Sequence, residues 1–274
     1  MQLWEVVLLG ILQGFTEFLP VSSSGHLVIA QDLLGVATPG VVLELVLHLG
    51  TLVSVFIVFW SDIVGLLRGF FSLLLSPRGR RPMSPELSTY RRLVGLLLVG
   101  VIPTAIFGIV LEPFFESLFN SVGAVGIALL LTGIVLFFIS RLRPGRRGLD
   151  RMTFLDALVV GIAQGCAIMP GLSRSGMTIS SALSRGLTRD AATRFSFLIS
   201  IPTIAGATLL KINDILSFSG EQGGLLLVGF IVAALSGILA IKVLVKLLQK
   251  GKLQLFAYYV WVLGLFVLWR VWGV

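Results

Sequence analysis

Charge is scarce in this 274-residue chain: only 12% of its residues are Asp, Glu, Lys or Arg. A soluble domain carries roughly 25%, so an ordinary soluble domain of this length is excluded. There is one cysteine, Cys166, which excludes an internal disulfide; it falls in an apolar run and reads as a packing residue. The first ten residues, "MQLWEVVLLG", hold no Lys or Arg and lead to no small-residue cleavage site, so they do not read as a signal peptide. Strict alternation of apolar and polar residues is missing as well, which argues against a transmembrane β-barrel.

What is present is hydrophobicity. Apolar residues make up 56% of the chain and the mean hydropathy is +1.02. The runs 93–111, 122–140 and 224–241 each approach the ~20 residues that cross a bilayer as a helix. The net charge of +8 would suggest nucleic acid in a soluble protein. In a membrane protein it marks topology, because cytoplasmic loops collect Lys and Arg, and no nucleic-acid partner is expected.

The basic residues fall in four clusters: Arg68 to Arg92, Arg141 to Arg151, Arg185 to Arg194, and Lys242 to Lys252. Only Lys211, Arg270 and Arg174 stand apart. Placing all four clusters inside makes 41–60, 93–111, 122–140, 190–210, 224–245 and 253–271 single crossings. The stretch 76–92 reads as a flexible cytoplasmic loop. Residues 2–34 then begin and end outside, and 152–187 begin and end inside. Each reads as an apolar helix, a polar break and a second helix of about ten residues, some 15 Å long and half a bilayer. Both are expected to be re-entrant hairpins, buried in protein or lining a water-filled cavity.

The two hairpins resemble each other. "WEVVLLGILQGFTEFLPVSSSGHL" from Trp4 aligns without gaps on "LDALVVGIAQGCAIMPGLSRSGMT" from Leu155, at an offset of 151. Gly10, Ile11, Gln13, Gly14, Ser22, Ser24 and Gly25 match Gly161, Ile162, Gln164, Gly165, Ser173, Ser175 and Gly176. The expected architecture is an all-α polytopic membrane protein with an inverted repeat. Its halves are 1–145 and 146–274, each a re-entrant hairpin plus three transmembrane helices. Such repeats place a site where the two breaks meet.

The breaks carry chemistry. Gln13 and Glu17 share a helix face. Pro20 ends the first helix, and Ser22, Ser23 and Ser24 open the next. Pro170 and Gly171, then Ser173, Arg174 and Ser175, repeat the pattern. Two helix N-termini, several hydroxyls and an arginine form an anion site. An ionisable group at membrane depth is a functional candidate. The structural alternatives are serines that only cap helices, a Glu17–Arg174 ion pair, and a His26 that is only a core residue. Glu, Ser, His and Arg in one cavity point to phosphoryl transfer. Elsewhere, Glu44 and His48 form either an outer layer around this site or a separate pair. Glu112 and Glu116 are placed in the interface, Pro103 and Pro202 at kinks, and Trp4, Trp60, Trp261, Trp269 and Trp272 near span ends.

"LQGFTEFLPVSSSGHL" and "MPGLSRSGMT" resemble the two signature motifs of the undecaprenyl-diphosphate phosphatases, the bacitracin-resistance phosphatases of bacterial membranes. "LHLGTL" at Leu47 is similar to that family's third helix. The resemblance spans nearly the whole chain and implies a ten-helix inverted-repeat fold. It also implies hydrolysis of a polyprenyl diphosphate to the monophosphate carrier of cell-wall synthesis in the bacterial inner membrane. Glu17 would be metal ligand or base, Arg174 the diphosphate holder, Ser23 the nucleophile, and His26 its base or the general acid. Ser23 and His26 can exchange roles. Substrate contacts would come from Ser22, Ser24, Gly25, Gly171, Ser173, Ser175 and Thr178. Gln13 stands where the motif also takes glutamate; with Glu17 it would hold Mg²⁺ or Ca²⁺, whose ligands are oxygens. Bilayer lipids are the other partners, and a homodimer is left open. Both termini and the mouth of the site are expected on the extracytoplasmic side. The rival reading is a polyprenyl-phosphate transporter using the same anion site.

Overall fold

The computed structural model describes residues 2–34, 40–75, 84–119, 121–143, 145–213 and 223–273. Within them the chain is helical throughout, with no strand beyond one isolated bridge between Arg147 and Leu187. The first hairpin is α1 (Leu3–Phe18) and α2 (Ser23–Leu34). Then come α3 (Gly40–Val58), α4 (Trp60–Leu75), α5 (Pro85–Val110), the short α6 (Glu112–Phe119) and α7 (Val122–Ser140). The second hairpin is α8 (Phe154–Cys166) and α9 (Arg174–Ser184). The chain continues through α10 (Arg189–Leu210), α11 (Gly223–Gln249) and α12 (Gln254–Trp272).

By length and composition α5, α7, α10, α11 and α12 can each cross a membrane, and α3 with α4 can make a sixth crossing. Leu98, Ile109, Leu235, Val262 and Leu265 are well exposed, as lipid-facing side chains must be. The protein is a multi-pass membrane protein.

Hydrophobic burial does not drive helix association inside a bilayer, so close packing at small residues takes over. The hairpins show this. Helix α1 lies against α11, where Gly14 faces Ala233, Ser236 and Gly237. Helix α8 lies against α5, where Gly161 meets the carbonyl of Gly100. A methyl group at Gly161 would overlap that carbonyl, and overpacking costs about 1–3 kcal/mol. Gly161→Ala should therefore lower the thermal unfolding midpoint in detergent by several degrees. Gly206→Ala, with open space around it, should not.

The open end of the second hairpin is stapled by charge. Asp156, fully buried in the first turn of α8, takes Arg147 Nη1 at 2.7 Å and Arg185 Nε at 2.8 Å. It also accepts the Thr153 N–H at 2.9 Å, closing a capping box. The start of α8 is thus tied to the end of α9.

Three expectations are corrected. The chain after the 41–60 crossing, expected as cytoplasmic loop from Arg68 onward, is helical: α4 turns 86° away from α3. Buried Phe59 sits at the corner with its ring 5.3 Å from Phe197. Buried Asp62 pairs with Arg194 and accepts from Tyr90 Oη at 3.1 Å, which holds α4 beside α5 and α10. Arg68 therefore lies on a helix, not in a loop. The loop expected at 76–92 is shorter too, because Ser84 caps α5 by accepting the Leu87 N–H and Pro85 opens the helix; residues 76–83 lie outside the described residues. Cys166, read as packing, is exposed at the end of α8. Helices α5 and α10 run continuously through Pro103 and Pro202. The threonines that follow, Thr104 and Thr203, both accept from Gln164 Nε2, at 3.0 and 2.9 Å. Glu112 and Glu116 pair with Lys211 across the ends of α6 and α10.

Candidate active site

The two breaks meet. Ser175 of the second donates its hydroxyl to the Leu19 carbonyl of the first at 3.1 Å. A Cβ on Gly25 would lie 3.1 Å from the Cα of Gly171, so the two backbones approach closely there. Gly171 itself has φ +91°, and a Cβ there would overlap Val125 and Ala128 of α7. Thr132 of α7 donates to its carbonyl at 3.1 Å and accepts the Ser173 N–H at 3.1 Å.

Glu17 is the hub, only 7% exposed at the end of α1. Its Oε1 takes Arg174 Nη2 at 2.5 Å. Its Oε2 accepts the Ser23 hydroxyl at 2.6 Å and Gln13 Nε2 at 2.9 Å, with His48 Nε2 3.5 Å away. A carboxylate so deep needs this many partners, because burying one unpaired costs several kcal/mol. Ser23 and Arg174 are the first residues of α2 and α9, so two positive helix ends converge on the same spot.

Among the described residues, two polar atoms beside Glu17 are buried without a hydrogen-bond partner: Gln13 Oε1 and Arg174 Nη1. Leaving such atoms unpaired costs about 1–3 kcal/mol each. One is an oxygen suited to a hard cation; the other is a charged donor suited to a phosphate oxygen. Both residues bond to Glu17, and their donor chemistry fits a hard cation together with a phosphate group. No group of three or more His, Cys, Asp or Glu among the described residues can hold a metal unaided.

Ser22 adopts φ +70°, unusual outside glycine. Its Oγ accepts the Gly25 N–H at 3.2 Å and lies 3.3 Å from Ser24 Oγ. Its carbonyl accepts the His26 N–H at 3.2 Å and faces His26 Nδ1 at 2.7 Å. A carbonyl only accepts, so Nδ1 carries the proton. The neutral ring then accepts at Nε2 from the Tyr259 hydroxyl, 2.8 Å away. Among the described residues no hydrogen bond joins His26 to Ser23 or Glu17; the Ser23 hydroxyl points to Glu17 instead.

The remaining candidates are structural neighbours of the hub. Ser173 caps α9 through the Gly176 N–H at 3.1 Å and lies 3.3 Å from Ser175 Oγ. Thr178, one turn on, donates to the Arg174 carbonyl at 2.9 Å and pairs with Ser196 at 2.6 Å. Glu44 does not reach the site; it accepts from Gln31, and its carbonyl faces His48 Nδ1 at 2.7 Å. His48 does reach it. Tyr259 was signalled by nothing local, since it arrives from α12, 233 positions from His26.

Residues 6–266 match the family model described as Bacitracin resistance protein BacA. The chain is 47% identical over 270 residues to a protein of Halothermothrix orenii named undecaprenyl-diphosphatase, covering 98% of each chain. It is 42% identical over 272 residues to the protein of that name from Carboxydothermus hydrogenoformans, covering 98% of this chain and 97% of the relative. The one from Methanosphaera stadtmanae is 44% identical over 264 residues, with 95% of each covered.

Proposed function

The chain belongs to the bacitracin resistance protein BacA family, and on that premise we propose that it is a membrane-embedded undecaprenyl-diphosphatase. It hydrolyses undecaprenyl diphosphate to undecaprenyl phosphate and inorganic phosphate, returning the cell-wall lipid carrier to use and conferring bacitracin resistance. The observation that carries this reading is the contact of the Ser23 hydroxyl with Glu17, 2.6 Å, on a carboxylate that also holds Arg174. A nucleophile, a base and a phosphate-binding cation share one buried point.

In this reading Arg174 Nη1 and the N-termini of α2 and α9 take the terminal phosphate. Glu17 accepts the Ser23 proton as Oγ attacks the terminal phosphorus. The P–O bond to the bridging oxygen breaks, and undecaprenyl phosphate leaves. Water then cleaves the phosphoseryl bond and releases inorganic phosphate. His26 holds the Ser22 turn. Its nucleophilic nitrogen faces Tyr259, which favours Ser23 over His26 for the attack. Mg²⁺ or Ca²⁺ would be held by Glu17 and Gln13 Oε1 together with diphosphate oxygens. When bound, it supplies neutralisation of the charge on the phosphates.

We assign the protein to the cytoplasmic membrane, with both termini and the mouth of the site extracytoplasmic, from the distribution of its basic residues. The repeat halves 1–145 and 146–274 are supported by reciprocal packing: α1 rests on α11 as α8 rests on α5. The lipid tail has no need of a soluble lid, because it can enter sideways between helices.

The test is phosphate release from undecaprenyl diphosphate by purified protein in detergent. Wild type should release phosphate, Ser23→Ala should lose it by about 10³-fold, and chelation should stop it until Mg²⁺ or Ca²⁺ is restored. No release by wild type under any cation would sink the phosphatase reading. Undiminished release by Ser23→Ala would sink the assignment of the nucleophile.

A further inference from the structure

We infer that Tyr259 is a positioning residue, acting through His26 to hold the Ser22 turn that presents Ser23 to Glu17. The consequence for rate rests on the phosphatase reading; the geometry does not. A serine at φ +70° occupies the left-handed region, where its Cβ crowds the backbone, and such a conformation persists only where its surroundings over-determine it. Three bonds hold this one: Gly25 N–H to Ser22 Oγ, and the His26 backbone N–H and ring Nδ1–H to the Ser22 carbonyl. The ring bond is the shortest of them, 2.7 Å, and it exists only while Nδ1 keeps its proton.

A neutral imidazole carries its proton on one nitrogen or the other, and the hydrogen bond at one nitrogen sets the state of the other. The acceptor-only Ser22 carbonyl selects the Nδ1–H tautomer, and the Tyr259 hydroxyl, 2.8 Å from Nε2, donates to the bare nitrogen and so reinforces that tautomer. The two rings lie nearly parallel, 11° apart with centroids 5.6 Å apart, which restrains rotation of the imidazole. Helix α12 is tied to α2 a second time, by Arg270 Nη1 to Asp32 Oδ2 at 2.6 Å. The tyrosine therefore stands on a helix fixed relative to the turn it controls. Among the described residues no hydrogen bond or ion pair joins it to Arg174 or Glu17, so it should influence the chemical step and leave substrate capture alone.

The chain has only two histidines, His26 and His48, so ring ¹⁵N labelling gives two sets of signals. Loss of one set in His48→Asn assigns the other to His26. In wild type, His26 should show a protonated Nδ1 and an unprotonated, hydrogen-bonded Nε2. In Tyr259→Phe, which keeps the ring and removes the donor, the tautomers should mix. The kcat for lipid-diphosphate hydrolysis should fall roughly five- to tenfold, the effect of one lost hydrogen bond, with KM within about twofold. A wild-type His26 protonated at Nε2 would overturn the inference without any variant. So would a Tyr259→Phe protein with unchanged tautomer, whatever its kcat, or one with mixed tautomers and unchanged kcat. Failure of wild type to release phosphate would overturn the phosphatase reading instead, since the tautomer is read in labelled protein without substrate.

Discussion

Glu17→Gln should lower kcat by about 10³-fold or more while leaving lipid-diphosphate binding, measured with the metal chelated, intact or tighter. Glutamine has nearly the shape of glutamate, so the Ser23 hydroxyl can still donate to its amide oxygen. An amide does not accept the serine proton, and loss of a general base alone costs 10²- to 10⁴-fold. Binding moves the other way. Glu17 presents a negative charge where a diphosphate must arrive, and its Oε1 occupies Arg174 Nη2 at 2.5 Å. Neutralising it removes a repulsion and releases the guanidinium. The free variant should be less stable, because breaking a buried ion pair by removing one partner costs about 3–5 kcal/mol, and added lipid diphosphate should restore the thermal midpoint. Single-turnover kinetics and direct binding in detergent separate these effects. Weakened binding with a normal single-turnover rate would show Glu17 to be a binding residue and remove the base from the mechanism.

The parts of this site legible in the sequence are those written in short range. Pro20 and Pro170, followed by serines, mark broken helices because proline and capping preferences are local. Seven matched positions between the hairpins then bring Glu17 and Arg174 to one place. What the sequence left open arrives through tertiary packing. Tyr259 had no local signature, and His48 had only its spacing from Glu44. The direction of the Ser23 hydroxyl follows from the conformation of Ser22, which no residue type announces. The turn of α4 was hidden because the partner of Asp62 is Arg194, on a helix 132 positions away. Ser84 and Pro85 did announce the start of α5, but the basic residues Arg91 and Arg92 made that helix end look like loop. Cys166 was misjudged because α8 leaves part of its circumference uncovered. The carrier reading needed only the anion site. The Ser23–Glu17 contact and the family membership favour the enzyme.

Arg174 should show the opposite signature to Glu17: loss of both binding and rate. Its two terminal nitrogens have different tasks. Nη2 is committed to Glu17, and Nη1 is buried without a partner among the described residues, so one side chain can hold the base and the phosphate together. A lysine offers one compact ammonium in place of the planar fork. At this depth it would pair with the carboxylate and have no second nitrogen to offer. Arg174→Lys should therefore fall within about tenfold of Arg174→Ala. Each should lose roughly 10³- to 10⁵-fold in kcat/KM, on the scale of an arginine that stabilises a transferring phosphoryl group. Arg174→Ala should also bind lipid diphosphate more weakly and leave Glu17 a buried, uncompensated carboxylate. Glu17→Gln added to Arg174→Ala should then cost much less than it does alone, because with the fork gone the two residues no longer act as one unit. Full activity in Arg174→Lys would show that charge alone is needed there. Independent, multiplicative losses in the double variant would show that carboxylate and guanidinium act separately.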